Sequence, residues 1–162
     1  MSIFMSYKGI KGESSDKNHK EWIDIDDLHW GVKRNITSNT STQNDRESAN
    51  AVIQDLTLAR RMDSASPNLF IESCSGKGKT IVLHLTKTGT GTGSDAFMEY
   101  ALKNALISSY EMNAETEADE RPTELLTISF VDLEMKYTPY DQDGNAMAPV
   151  AVGFDTSTGE KR

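Results

Sequence analysis

Apolar and polar positions alternate with a period of two along most of the chain. Ile3, Met5 and Tyr7 are interleaved with Phe4, Ser6 and Lys8. Val52, Gln54, Leu56 and Leu58 alternate with Ile53, Asp55, Thr57 and Ala59. Ile81, Leu83 and Leu85 alternate with Val82, His84 and Thr86, and Met98, Tyr100, Leu102 and Leu106 form a further stripe. Side chains of a strand point to opposite faces at each step, so this alternation predicts strands with one apolar and one mixed face. Two strands change phase midway. Ile23 and Ile25 hand over to Leu28, Trp30 and Val32, and Leu126, Ile128 and Phe130 hand over to Val131, Leu133, Met135 and Tyr137. One extra residue at each point, as in a β-bulge, accounts for the slip and bends the strand as closure of a sheet requires. Gly89 to Gly93 (GTGTG) and Asp141 to Asn145 (DQDGN) read as tight connections between strands.

One segment breaks the alternation. Ser66-Pro67 offers an N-cap hydroxyl followed by proline at the first helical position. Asn68 to Ser73 carries no strand pattern, and Gly76 is placed to end the helix in a left-handed conformation. Phe70 and Cys74 lie four apart on one side, beside Leu69 and Ser73. A helix of about ten residues is marginal alone and must pack on the strands. The pattern therefore predicts a mainly antiparallel barrel or sandwich of about eight or nine strands with one short helix.

Two tracts lack any face to bury. Thr37 to Asn50 is polar throughout and Met112 to Pro122 is acidic, so both are expected as exposed loops, and Asp155 to Arg162 as a frayed tail. At 162 residues the chain suits one domain spanning 1–162. Its 25 acidic against 17 basic residues give a formal charge of −8. That argues against a nucleic-acid binder, which usually carries a basic stripe, and equally against an anionic membrane surface. The single Cys74 cannot form an internal disulfide. The opening residues lack the basic start and apolar stretch of a secretory signal, and no window reaches the length of a membrane span. The expectation is synthesis in the cytoplasm.

Motifs that carry chemistry fail on inspection. Ser73-Cys-Ser-Gly-Lys-Gly-Lys-Thr80 ends like a phosphate-binding loop, but Ser73 stands where the first glycine belongs. The order is also helix then strand, the reverse of what aims helix amides at an anion. The Asp141–Asn145 run has its glycine at the fourth rather than the sixth place of a calcium loop, and Val152 where a bidentate Glu is needed. Gly89, Gly91 and Gly93 precede no helix. His19, His29 and His84 show no metal-ligand spacing, and His84 has no nucleophile elbow to serve. The acidic run from Glu115 to Glu120 has no apolar pocket to raise a pKa. The chain is expected to be no enzyme and to need no cofactor or metal.

Several segments, in order, resemble the haemolysin-coregulated protein (Hcp) family of type VI secretion systems. Lys11-Gly-Glu-Ser14 with His19 and Trp22-Ile-Asp-Ile25 is similar to the family's opening. Asp63-Ser-Ala-Ser-Pro-Asn-Leu69 with Cys74-Ser-Gly-Lys77 is similar to its helix segment. Leu106-Ile-Ser-Ser-Tyr110, Arg121-Pro-Thr-Glu124 and the run from Tyr137 to Gly144 match later landmarks. The resemblance implies two curved sheets closing a barrel beside one helix, six copies in a ring, and rings stacked into the inner tube of a contractile injection machine. A sheath would surround that tube and a trimeric spike cap it, effectors could ride in the channel, and the protein would leave the cell on contraction without a cleaved signal. Opposite Leu28, Trp30 and Val32 stand His29, Gly31 and Lys33, which places His29 and Lys33 on the expected channel face. Asn44, Asp45, Arg46 and Glu47 fall in the loop that in the family reaches toward a neighbouring ring, where they offer charge-assisted contacts. Two other classes compete: a monomeric β-barrel that binds or chaperones a small partner, and a small hydrolase using His84 or Cys74.

Overall fold

The computed structural model describes residues 1–36, 49–89 and 91–162. The loop residues Asn44, Asp45, Arg46 and Glu47 lie outside the described residues. Twelve strands and one helix are present among the described residues: β1 Ser2–Tyr7, β2 Ile23–Ile25, β3 Asp27–His29, β4 Val32–Arg34, β5 Ala51–Ile53, β6 Leu56–Arg61, α1 Ser66–Ser75, β7 Lys79–Thr88, β8 Ser94–Asn113, β9 Thr123–Ser129, β10 Asp132–Tyr137, β11 Val150–Asp155 and β12 Glu160–Lys161. Every pairing between strands is antiparallel. Among the described residues the protein is thus mainly β with one short helix, and the strands outnumber the eight or nine expected because bends divide single periodic runs into two.

The strands form two faces that share β8. Its first half, flanked by β7 and β10, lies in the order β12-β11-β10-β8-β7-β1-β2. Its second half pairs with β9, which continues through β6 to β3. Three chain segments turn from one face to the other. Asp26 separates β2 from β3, Phe130 and Val131 separate β9 from β10, and β8 itself turns near Asn104, whose φ is +51°. The first two are the phase slips visible in the sequence. They are corners where a strand changes sheet, a known use of such irregularities. The third hides the phase of β8: Ala105 and Ile107 are buried and Leu106 is exposed, so the stripe read through Leu106 ends at Leu102. Hydrogen bonding alone does not complete a ring of strands, since β2 and β3 are successive pieces of one bent segment.

Between the faces lies the core of Met5, Tyr7, Ile23, Leu56, Leu58, Ile81, Leu83, Leu102, Leu126 and Ile128. The Val52–Leu58 stripe is split. Leu56 and Leu58 are buried on β6, while Val52 is exposed on β5, which among the described residues pairs with β4 alone in a separate two-stranded ribbon.

Helix α1 has its expected ten residues, with corrections at both ends. Ser66 is its first residue rather than its cap, and the Ser66 hydroxyl accepts from the Asp63 amide. The cap position is Ala65, which has no side-chain cap, and ahead of it the Asp63 carboxylate accepts from the Ala65 amide at 2.8 Å. Gly76 is extended (φ −67°, ψ 156°), not left-handed, yet its amide still reaches the Glu72 carbonyl. Leu69 is the side chain driven into the core, whereas Phe70 is half exposed against Tyr110 and Cys74 is exposed.

The chain end is ordered rather than frayed. Residues 156–159 turn, β12 pairs with β11, and the Arg162 guanidinium grips the Asp132 carboxylate with both terminal nitrogens. The expected acidic loop begins later than Met112, because β8 extends to Asn113.

Candidate assembly surface

Beside the main sheets, the β4–β5 ribbon stands over β10 and β11. Its side chains Val32, Ala51 and Ile53 face Met135 and Val152 across an apolar groove of about 220 Å³ that also reaches Trp30. Val32 and Val52 on the ribbon and Val150 and Val152 on β11 are more than half exposed, at 55, 64, 67 and 56 %. Among the described residues only 153–155 of β11 pair on this side, with the chain end, which leaves its first half there as an open, apolar sheet edge. Open edges are what strands of another chain add to, and a monomer normally blunts them with charge or proline. No charge stands at Val150, Ala151 or Val152.

His29 and Lys33 both reach solvent. His29 ends β3 opposite Thr57, and Lys33 lies mid-β4 opposite Val52. Between them Gly31 accepts from the Gln54 amide at 2.8 Å, which ties β3 and the ribbon together. The two residues thus belong to different pairings joined by one short bend.

Two polar clusters are more deeply set, and the periodic pattern signals neither. Arg60, on the buried side of β6, is wholly enclosed with Glu124 of β9. It donates to Glu124 at 2.5 Å, to Asp63 and to the Ser66 hydroxyl, pinning the start of α1 to the sheet. Tyr110 donates to the other oxygen of Glu124. Burial and that carboxylate push the Tyr110 hydroxyl up to about 12.

The second cluster joins residues far apart in sequence. The pairing register sets Phe4, His84, Glu99 and Lys136 in one row across β1, β7, β8 and β10. The segment Gly12–Trp22 folds over this row, closed by the Gly12 amide to the Glu21 carbonyl and the Ser14 amide to the Trp22 carbonyl. Gly12 is needed there because a Cβ would stand 2.3 Å from the Trp22 carbonyl oxygen. The fold-over buries His19, stacked on Phe4 at 4.4 Å and edge-on to Trp22. Four groups then connect end to end: Asp16 Oδ2 to His19 Nδ1 at 2.8 Å, His19 Nε2 to His84 Nδ1 at 2.8 Å, and His84 Nε2 to Glu99 Oε2 at 2.7 Å. The mixed face of β7 is therefore covered, not free. Burial lowers the His84 pKa, partly offset by Glu99. Burial raises that of Asp16, but hydrogen bonds from His19 and Ser94 together outweigh it and hold the carboxyl below its ordinary range.

The look-alike motifs take other uses. The Ser73–Thr80 run leaves α1 and enters β7, and the Lys79 ammonium is held by Glu72 at 2.7 Å. In the 141–145 turn one Asp141 oxygen accepts from the Asp143 and Asn145 amides, while Gly144 takes φ +85°.

The sequence profile of the family described as "Type VI secretion system effector, Hcp" matches residues 4–137. The chain is 27% identical over 156 residues to Protein hcp1 of Pseudomonas aeruginosa, covering 96% of this chain and 94% of that one. A solved structure described as that of a type six secretion system protein superposes with a TM-score of 0.90 at 26% identity, covering 99% of both chains. Hcp1 from Salmonella typhimurium, at 22% identity and a TM-score of 0.75, shares the fold over 99% of this chain and 98% of its own.

Proposed function

The chain belongs to the Hcp family of type VI secretion system proteins, and from that premise we propose that it is a structural subunit of the system's inner tube. Six copies form a ring, rings stack, the two sheets close as a barrel within each subunit, and the tube is expelled when a surrounding sheath contracts. In this reading the protein is no enzyme. It is made in the cytoplasm and leaves without a cleaved signal, it meets a spike protein at the tube's end, and small effectors occupy the channel.

The observation that carries the reading is the family match across most of the chain. The open edge of β11 and the apolar groove beside it support self-association, because an exposed apolar face on an acidic chain is best buried against a second copy. A head-to-tail contact whose rotation closes generates a ring from one kind of subunit. His29 and Lys33 are assigned to the channel wall, and Asn44, Asp45, Arg46 and Glu47 to ring stacking.

Light scattering and negative-stain microscopy of the purified protein test this. The expected particle is a ring with about six times the 17.9 kDa chain mass. A strict monomer at high concentration overturns the reading, and a stoichiometric client co-purifying with a monomer favours a binding module instead. Val152→Asp, at a 56 % exposed position, is expected to break the ring while the isolated chain keeps its far-ultraviolet circular dichroism. Asp45→Cys is expected to cross-link stacked rings under mild oxidation.

A further inference from the structure

We propose that the connected groups Asp16, His19, His84 and Glu99 form a proton-operated latch, holding segment 12–22 on the β1–β7–β8 face near neutral pH and releasing it in acid.

The argument is a count of protons. Three hydrogen bonds join four groups end to end, and each needs one proton. With both carboxylates ionised, the outer bonds require N–H at His19 Nδ1 and at His84 Nε2. The central bond requires one further proton between His19 Nε2 and His84 Nδ1. The ring pair therefore holds three protons on four nitrogens and carries a single positive charge between two negative ones. Removing the third proton leaves one of the bonds unmade. Adding a fourth sets two N–H groups head-on at 2.8 Å and two imidazolium rings in contact. That fourth proton is the one that acid supplies, and histidine is the side chain that takes it up in the physiological range.

The surroundings sharpen the effect. His19 is 2 % exposed, so water cannot screen a second charge there. The charged groups facing the pair are Asp16 on the segment itself, Glu99 on β8 and Lys136 on β10, whose ammonium lies 3.8 Å from the free oxygen of Glu99. On the far side of Phe4 the row ends in Asp24 of β2. Lys136 opposes a second positive charge and already draws on Glu99, so one carboxylate does not neutralise the added proton. The same segment holds the start of β8, through Asp16 Oδ1 to the Ser94 amide and Asn18 to the Ser94 carbonyl, each at 3.0 Å. Opening the latch therefore loosens the β7–β8 turn as well.

Amide hydrogen exchange of the intact protein, followed from pH 8 to pH 4.5 and corrected for the intrinsic pH dependence, reads the latch directly. A closed state with three ring protons and an open state with four differ by one proton. Protection of Gly12–Trp22 is then expected to fall about tenfold per pH unit below roughly pH 6, while β7 to β9 stay protected. In His84→Gln, whose amide keeps an acceptor toward His19 and a donor toward Glu99, protection is expected to stay flat over that range. Acid-independent protection in the unaltered protein, or the same acid step in His84→Gln, overturns the proposal. Nitrogen-detected spectra of the two rings in the unaltered protein give a check that does not depend on the variant folding. Three ring protons at pH 7, with the fourth arriving as protection is lost, is the expected result, and two rings titrating independently with no loss of protection overturns it.

Discussion

Arg60 is the most demanding side chain in the molecule. A guanidinium wholly removed from water is tolerated because Glu124 and Asp63 surround it and Ser66 accepts a further bond. Replacing such a pair wholesale is often harmless, but removing one partner strands the other. Arg60→Met is expected to cost about 3–5 kcal/mol in urea denaturation, because Glu124 is left charged and enclosed. Adding Glu124→Gln should recover part of that loss, and a double variant no better than the single one would show that Glu124 is not the stranded charge. Nothing in the alternation of β6 announced this residue. Arg60 occupies the inward phase with Leu56 and Leu58, a position that polarity alone would have excluded from the core. His19 was similarly hidden, because its partner His84 is brought to it only by the pairing of β1 with β7. The signal that could have found it was modest: a histidine three residues after Asp16, itself just past the Gly12-Glu-Ser14 run, and a second histidine on the mixed face of a strand.

Among the elements, β8 is the most informative about what pattern can and cannot reveal. Both phase slips read from apolar spacing correspond to real corners, because changing sheets there shifts which parity faces inward. The corner within β8 escaped, since Ala105 is small and Leu106 apolar, and the stripe looked unbroken. Asn104 makes that corner with a left-handed backbone, a conformation that costs a β-branched residue about 1–2 kcal/mol. Asn104→Val should therefore destabilise by about that much and Asn104→Gly by far less. Thermal unfolding of the two variants decides it, and equal effects would show that the side chain rather than the backbone matters. Helix α1 was legible in length and place, but the spacing did not single out which of its apolar residues is buried. The apolar pair Phe70 and Cys74 lies on the solvent side, and Leu69 alone anchors the helix in the core, so Leu69→Ala is expected to cost about 2–5 kcal/mol.

For the whole molecule, acid should act in two stages. The lowered His84 pKa means that folding favours its neutral form, so this contribution is complete above the ordinary histidine range and is lost as pH falls through it. Asp16, Asp141 and Asp155 are held below the ordinary carboxylate range, the latter two chiefly by hydrogen bonds from Asn145 and Ser157. Their contribution is present above that range and disappears as pH falls below it. Asp24 works the other way, raised by burial and by Asp63, and tempers the second stage. A melting temperature that drops first near pH 6 and again below about pH 4 is the expected profile, and a single drop confined to the lower range would contradict it. The β class and the helix were readable from spacing along the chain, and the family from the resemblance of several collinear segments. The open backbone edge at Val150–Val152 was not, because it depends on β12 reaching only residues 153–155. The sharing of β8 between both faces also orders the folding of the chain. β8 pairs with its immediate neighbours β7 and β9 across short connections, whereas β1 must find β7 about eighty residues away. Closing the nearer loops costs less entropy, so the β7–β8–β9 meander is expected to form first, with the N-terminal strands docking onto it afterwards. Substitutions in the meander should then slow refolding, and those in β1 and β2 should mainly hasten unfolding.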